Sequence, residues 1–164
     1  MKVAGSVVVV TGGASGLGRA SVEKLVAAGA KVAIFDFNEA AGEALVAALG
    51  DSVIFKKVNV ADEDSVQAAI AETAAHFGAI HVCINYAGIG SAMKTLGKNG
   101  VFPLAEFNRV LQVNLVGTFN VLRYAAEQMA KNEIVDGERG VIINTASIAA
   151  YEGQIGQAAY SASK

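Results

Sequence analysis

VVVVTGGASGLG, at residues 7–18, joins four valines to a glycine-rich turn, and a helical pattern follows as far as Gly29. This order of strand, turn and helix is the context that a dinucleotide-binding fingerprint requires. Glycines let the backbone approach a pyrophosphate, and the N–H groups at a helix N-terminus bind anions. A loop rich in glycine by chance is the alternative. The turn predicts cofactor contacts at Gly12, Ser15, Gly16, Leu17 and Gly18.

The next predicted strand ends at Asp36, about 20 residues beyond the turn, where a carboxylate can accept hydrogen bonds from an adenosine ribose. A helix cap or a turn is the other interpretation of Asp36. Phe37 and Asn38 supply no cation for a 2′-phosphate, whereas Arg19, near the glycine turn, is a cation that could reach one. On balance the carboxylate favours NAD over NADP.

The chain has 164 residues, of which 53% are hydrophobic and 17% charged, and its formal net charge is −2. We expect one domain over residues 1–164, able to bury about 70% of the surface that the unfolded chain exposes. This composition is typical of strands covered on both faces. Because lysine and arginine do not cluster, nucleic acid and anionic membranes are excluded as primary partners.

Cysteine and histidine are too few for a disulfide or a metal site. Cys83 is the only cysteine, and its apolar neighbours predict a buried strand. His76 and His81 have no companion ligands at metal-binding spacing, so we expect no metal. No apolar run approaches the ~20 residues that span a bilayer, and the N-terminal run is too short for a secretory signal. We therefore expect a soluble, cytoplasmic protein.

Strand and helix patterns alternate along the chain. Strands are predicted near 6–11, 31–36, 52–58, 80–85 and 140–146, and helices near 17–28, 39–49, 62–77 and 104–131. This alternation predicts an α/β fold: a Rossmann-type, doubly wound parallel sheet of three layers with right-handed crossovers. Residues 90–103 are predicted to be an irregular loop, and residues 132–139 a polar turn.

In open α/β sheets the ligand crevice lies beyond the carboxyl ends of the strands. After the third strand, Val60 is expected to flank an adenine, while Asp62 fits a helix N-cap. After the fourth strand, small residues would let a cofactor lie against the backbone, although a simple strand-ending turn is the alternative. The cofactor contacts expected at these two strand ends are Asn59, Val60, Asn85, Ala87 and Gly88.

Tyr160 and Lys164 lie four residues apart at the end of the chain. In a helix, this spacing puts the phenol and the ammonium on one face. A cation beside a phenol favours the phenolate, which allows a tyrosine to act as a general acid and base. A half-buried ring next to a solvated amine is the ordinary alternative.

Five motifs occur in order along the chain: Thr11-Gly12-x-x-x-Gly16-x-Gly18, Asn85-x-Ala87-Gly88, Asn114, Ser147 and Tyr160-x-x-x-Lys164. Together they closely resemble the motifs of the short-chain dehydrogenases/reductases, and the resemblance covers essentially the whole chain. Residues 140–147 and 152–160 are more narrowly similar to the type II 3-hydroxyacyl-CoA dehydrogenases, also described as type 10 17β-hydroxysteroid dehydrogenases.

The resemblance implies an NAD-dependent oxidoreductase that forms a homotetramer. The expected substrate is an (S)-3-hydroxyacyl-CoA thioester, with a steroid or another secondary alcohol as the alternative. Tyr160 would take the hydroxyl proton, and Ser147 would orient the reacting oxygen. Lys164 would hold the nicotinamide ribose and favour the phenolate. Asn114 would hold a water that relays protons, and Gln157 would contact the substrate.

The chain departs from the family pattern in three places. Asn59 stands where relatives generally place Asp against the adenine, so we expect this contact to be weakened but kept. Tyr86 stands where relatives usually have a smaller residue, and we expect its phenol to shade the cofactor cleft. Family members continue beyond the lysine, whereas nothing follows Lys164. We expect a fragment of a longer protein, with a C-terminally incomplete fold. A truncated, inactive dinucleotide-binding module is the alternative.

Overall fold

The computed structural model describes residues 1–164 and contains a parallel sheet with helices on both faces. In chain order its elements are β1 (Val7–Thr11), α1 (Gly16–Ala27), β2 (Lys31–Asp36), α2 (Glu39–Leu49), β3 (Val53–Lys57), α3 (Glu63–Phe77), β4 (Val82–Asn85), β5 (Leu96–Gly97), β6 (Gly100–Val101), α4 (Leu104–Leu111), α5 (Gly117–Met129), β7 (Val141–Asn144) and α6 (Ala158–Ser163). Five strands form the parallel sheet in the order β3-β2-β1-β4-β7, and β5 pairs antiparallel with β6.

The central strand β1 is buried on both faces, and its four valines are at most 2% exposed. Val8 and Val10 pack on the face covered by α1 and α2, in a cluster that includes Val22 and Leu45. Val9 packs on the opposite face, in the cluster that α3 and α5 cover. Alternate residues of one strand therefore serve two cores, as the middle of three layers requires. The structure confirms the predicted doubly wound α/β fold.

Side-chain hydrogen bonds fix where α2 and α3 begin. The Asn38 side chain accepts a bond from the Ala41 N–H at 3.2 Å, and Asp62 Oδ1 accepts one from the Ser65 N–H at 2.8 Å. Each bond satisfies a backbone donor that the first helical turn leaves free. Asp62 is therefore the N-cap of α3, as predicted. Gly78, at φ 89°, ends that helix in the left-handed conformation.

Two segments differ from the sequence prediction. The helix predicted over 104–131 is interrupted by a π-helical turn at Gln112–Val116, which separates α4 from α5. Helical periodicity does not reveal such a turn, because it adds only one residue to the hydrogen-bonding ring. Residues 90–103, predicted to be irregular, contain the β5–β6 hairpin. Residues 132–139 do form a turn, closed by a bridge between Val135 and Glu138.

Cys83 is buried in β4, as predicted. Burial disfavours the thiolate and raises the pKa of this thiol to about 12. A thiol that stays protonated is a poor nucleophile and a poor metal ligand, so Cys83 acts as a core residue. None of the helices combines the length and the apolar character needed to cross a bilayer.

Gly42 allows α2 to lie directly against β3, because a methyl group added there would overlap the Phe55 ring. Alanine is the better helix former by about 1 kcal/mol, but overpacking costs roughly 1–3 kcal/mol. We expect Gly42→Ala to lower the free energy of unfolding by up to about 2 kcal/mol in urea denaturation. Gly153→Ala is the control, since its methyl meets no atom within 4 Å. A Gly42→Ala variant more stable than the parent would contradict this close packing.

Candidate active site

A cleft of about 840 Å³ lies at the carboxyl edge of the sheet. It opens beside β1, where the chain leaves one half of the sheet for the other, which is the usual ligand position in open α/β sheets. Its walls come from the glycine turn, the ends of β2 and β3, the turn after β4, and α6. Of the residues predicted to contact cofactor or substrate, those that line it are Gly12, Ser15, Gly16, Leu17, Gly18, Asp36, Asn59, Val60, Ala87, Gly88, Tyr160 and Lys164.

The glycine turn is shaped by close backbone contacts. The Gly12 N–H donates to the Phe35 carbonyl at 2.8 Å, and the residue has a positive φ of 63°. A Cβ on Gly12 would lie 3.0 Å from the Ala87 nitrogen, and one on Gly18 would overlap the Gly12 carbonyl. Side chains are therefore excluded where the turn meets both α1 and the β4 turn. The result is a cleft floor of bare backbone beside the N-terminus of α1, a suitable setting for a pyrophosphate.

Asp36 is fixed at the end of β2 by two backbone donors. Its Oδ2 accepts from the Ala14 N–H at 3.0 Å, and its Oδ1 accepts from the Asn38 N–H at 3.0 Å. The carboxylate is thereby oriented on the cleft wall, with lone pairs left for ribose hydroxyls. Arg19 is paired with Glu23 at 2.8 Å and is not among the residues that line the cleft. The Arg19 guanidinium group therefore supplies no positive charge to the cleft beside Asp36.

Another wall of the cleft is the segment that leaves β3. Val58, Asn59 and Val60 all line the cleft there. Asn59 Oδ1 accepts from the Ala61 N–H at 3.1 Å, while the Asn59 N–H donates to Ser65 Oγ at 3.2 Å. The Asn59 amide is thus partly committed to its own turn, and Val58 and Val60 are the apolar residues of this wall.

Tyr160 and Lys164 come together at the far end of the cleft. Tyr160 lies within α6 and Lys164 directly follows it, with the ammonium nitrogen 5.7 Å from the centre of the phenol ring. Lys164 Nζ also donates to the Thr145 carbonyl at 3.1 Å, which holds the cation close to the strand end of β7. A phenol and an oriented cation therefore face the same space, the arrangement that proton transfer by a tyrosine needs.

Asn114 lies in the π-helical turn and is 3% exposed. Its Oδ1 accepts from the Ile89 N–H at 2.8 Å, and its Nδ2 donates to the Ile89 carbonyl at 2.8 Å and to Ser163 Oγ at 2.9 Å. Ser163 Oγ in turn donates to the Tyr160 carbonyl at 2.8 Å. Both amide hydrogens are used, so the side chain joins three segments and does not line the cleft. Thr118 Oγ1 donates to the Asn114 carbonyl at 2.7 Å.

Three more predicted site residues lie away from the cleft wall. Asn85 is 3% exposed, and its Nδ2 donates to Asn144 Oδ1 at 2.9 Å, because its side chain points along the sheet toward β7. Ser147 Oγ accepts from the Ala149 N–H at 3.2 Å and begins a short 3-10 turn. Gln157 occupies the position before α6, where its carbonyl accepts from the Ser161 N–H at 2.8 Å.

Some cleft residues were not predicted from the sequence. Thr145 reaches the site through its carbonyl, a group that every residue has and that no pattern distinguishes. Arg109 and Val113 lie four residues apart and line the cleft from α4 and the π turn. Their helical spacing was a usable signal. Arg109 pairs with Glu106, and this hydrogen bond lowers the pKa of the carboxyl group.

Tyr86 also lines the cleft, as its position in the β4 turn suggested. Its phenol oxygen accepts a hydrogen bond from Ser21 Oγ at 3.0 Å, so the ring leans toward α1. The ring also packs beside the cluster on that face of the sheet.

A family model described as short chain dehydrogenase matches residues 6–164. Human 3-hydroxyacyl-CoA dehydrogenase type-2 is 52% identical over 165 residues, which cover 99% of this chain and 63% of that protein. A 2,5-dichloro-2,5-cyclohexadiene-1,4-diol dehydrogenase of Sphingobium indicum is 40% identical over 92% of this chain and 58% of its own. The solved structure of a 3-hydroxyacyl-CoA dehydrogenase type-2 from Mycobacterium avium superposes with a TM-score of 0.89 at 42% identity, covering 97% of this chain and 63% of that one. The chain thus spans about 63% of the length of these 3-hydroxyacyl-CoA dehydrogenases.

Removal of the Asn114 hydrogen bonds is expected to cause a local loss of order. Asn114→Leu leaves the Ile89 N–H and carbonyl unpaired, and an unsatisfied buried polar group costs about 1–3 kcal/mol. We expect a loss of that size in the free energy of unfolding, with faster hydrogen exchange at the Ile89 amide. Asn108→Leu, an exposed position on α4, is the control. Unchanged exchange at Ile89 in Asn114→Leu would refute the proposed tie.

Proposed function

The chain belongs to the short-chain dehydrogenase family, and on this premise we propose that it oxidises a secondary alcohol to a ketone with NAD. The proposed substrate is an (S)-3-hydroxyacyl-CoA thioester, which becomes a 3-oxoacyl-CoA. The names of the most similar relatives support that class. One observation carries the proposal: a single cleft is lined by the glycine turn, by Asp36 and by the Tyr160–Lys164 pair.

The residues of the cleft fit an NAD molecule. The volume of the cleft, about 840 Å³, is within the range of roughly 300–1,000 Å³ found for small-molecule sites. The glycine turn and the N-terminus of α1 would hold the pyrophosphate, and Asp36 would accept from the adenosine ribose hydroxyls. Val60 would flank the adenine, while Lys164 would donate to the nicotinamide ribose. Bound NAD supplies the acceptor for the hydride.

The protein's own groups would manage the proton. Tyr160 Oη takes the proton of the substrate hydroxyl, and the Lys164 ammonium stabilises the phenolate form that accepts it. Thr145 limits the motion of that cation by accepting its hydrogen bond. Ser147 does not line the cleft, but its Oγ accepts from the Ala149 N–H, so its own hydrogen would be free to donate to the reacting oxygen of a substrate that extends beyond the cleft wall.

Assembly into a homotetramer is part of the same proposal. Leu115, Val116 and Phe119 are exposed large apolar residues, at 52%, 41% and 60%, near the start of α5. An exposed apolar group of this kind is typical of a surface that another chain covers. Sedimentation velocity would measure the number of chains in the particle.

Tyr160→Phe tests the proposed chemistry directly. The change removes the proton acceptor, and general acid–base catalysis contributes about 100-fold to 10,000-fold. We expect the rate of NADH formation from NAD and 3-hydroxybutyryl-CoA, followed by absorbance, to fall by at least about 100-fold. Tyr151→Phe, a tyrosine 86% exposed on the surface, is the matched control.

Three outcomes are distinguishable in that assay. Turnover by the parent and by Tyr151→Phe, with loss in Tyr160→Phe, supports the proposal. Equal rates in parent and Tyr160→Phe would discard the tyrosine mechanism. No turnover by the parent, despite NADH binding measured by fluorescence, would favour an inactive dinucleotide-binding module.

Asp36 should determine the choice between NAD and NADP. In Asp36→Asn the side chain keeps its shape but loses its charge and one of its two backbone hydrogen bonds, because an amide has only one acceptor oxygen. The repulsion of a 2′-phosphate then disappears and the bonds to ribose weaken. We expect the Kd for NADH to rise about tenfold and the Kd for NADPH to fall. Fluorescence titration measures both, with the exposed Asp51→Asn as control. Tighter binding of NADPH than NADH by the parent protein would overturn this role.

A further inference from the structure

The segment between β3 and α3 is held in place by a residue from the other half of the chain. Asn120, on α5, donates from Nδ2 to the Val60 carbonyl at 3.0 Å and to the Asp62 carbonyl at 3.1 Å. Asn120 is only 6% exposed, and its bond to the Val60 carbonyl is buried, while its bond to the Asp62 carbonyl is partly buried. One side chain thus bridges two carbonyls of the turn that forms the Val60 wall of the cleft.

The orientation of the Asn120 amide is fixed by its second partner. Asn120 Oδ1 accepts from Arg123 Nη2 at 2.9 Å and from Arg123 Nε at 3.3 Å. A flipped amide would set its N–H groups against the guanidinium donors and its oxygen against the two carbonyls. The amide therefore has one acceptable orientation, and every one of its polar atoms is engaged.

Arg123 is held in turn by the first residue of α3. Its Nη2 lies 2.8 Å from Glu63 Oε1, which also accepts from the Tyr124 hydroxyl at 2.8 Å. The Arg123 hydrogen bond lowers the pKa of the Glu63 carboxyl group, and the same partnership raises the pKa of Arg123. These groups are exposed, so the pair mainly orients the Arg123 side chain and adds little to the stability of the fold.

Gly117 brings the same face of α5 against the Val60 side chain. It lies three residues before Asn120, a spacing that puts both on one side of the helix. A Cβ on Gly117 would lie 2.6 Å from Val60 Cγ2. Helix α5 therefore fixes Val60 at two points: Gly117 contacts its side chain, and Asn120 donates a hydrogen bond to its carbonyl.

We propose that Asn120 is a positioning residue for the adenosine half of the cofactor, because it fixes the turn whose residue Val60 lines the cleft where the adenine is proposed to lie. This inference rests on the proposed function. It assigns no contact between Asn120 and the cofactor. Asn120 acts through the turn, so its loss weakens binding of the adenosine half and leaves the nicotinamide half, at the Tyr160 end of the cleft, unaffected.

The test separates the two halves of the cofactor. AMP and nicotinamide mononucleotide are each titrated as competitors of NADH, and the displacement of NADH is followed by its fluorescence. In Asn120→Asp the side chain keeps its size and its pairing with Arg123 but presents oxygen to two carbonyls. We expect its affinity for AMP to fall about tenfold, with the affinity for nicotinamide mononucleotide unchanged.

Arg123→Met provides a second variant in case Asn120→Asp does not fold. It removes the partner of Asn120 Oδ1 and leaves the two carbonyl bonds in place, so we expect AMP affinity to fall about threefold. Lys131→Met, just beyond α5 and hydrogen-bonded only to Gln128, is the control.

The outcomes are distinguishable from failure of the proposed function. Parent protein that does not bind NADH would refute the proposed function, and the inference with it. Intact NADH binding, with AMP affinity equal in parent and folded variants, would refute the inference alone. An equal loss for AMP and nicotinamide mononucleotide would also overturn it, since a general loosening of the fold has that effect.

Discussion

The close backbone contact between the β1 and β4 turns is the constraint on which the cleft depends. Gly12 approaches the Ala87 nitrogen so closely that an added Cβ would lie only 3.0 Å from it, and the Ala87 N–H donates to Thr11 Oγ1 at 3.1 Å. These two turns flank the point where the strand order reverses, and both line the cleft there. The glycine turn, Asp36 and the β4 turn keep their relative positions because β1 pairs with both neighbouring strands.

Two asparagines in the α4–α5 region hold the segments at the two ends of the cleft in place. Asn114 ties the segment after β4 to α6 through Ile89 and Ser163, and so supports the Tyr160 end. Asn120 holds the turn after β3, at the Val60 end. Both side chains are buried and have their polar atoms satisfied, the condition under which buried polar groups specify one arrangement. The π turn at Gln112–Val116 carries Asn114 and precedes the helix that carries Asn120.

The sequence predicts best what depends on local pattern. The strand ending at Asp36, the N-cap at Asp62 and the helix over Glu39–Leu49 follow from hydrophobic spacing and capping chemistry, and the structure confirms them. The side-chain directions of Asn85 and Ser147 were not predictable, because they depend on a neighbouring strand and on a local turn. The pairing of Asn120 with Val60 joins residues 60 apart, and no local pattern indicates it.

We propose that the Tyr160 phenol meets the substrate in a cleft that binds NAD. A crystal structure of the complex with NAD and a 3-hydroxyacyl-CoA measures this most directly. We expect the nicotinamide ring to lie between Gly88 and Lys164, with Tyr160 Oη within about 2.6–3.2 Å of the substrate hydroxyl oxygen. A cofactor bound outside the glycine turn, or a phenol remote from the substrate oxygen, would contradict it.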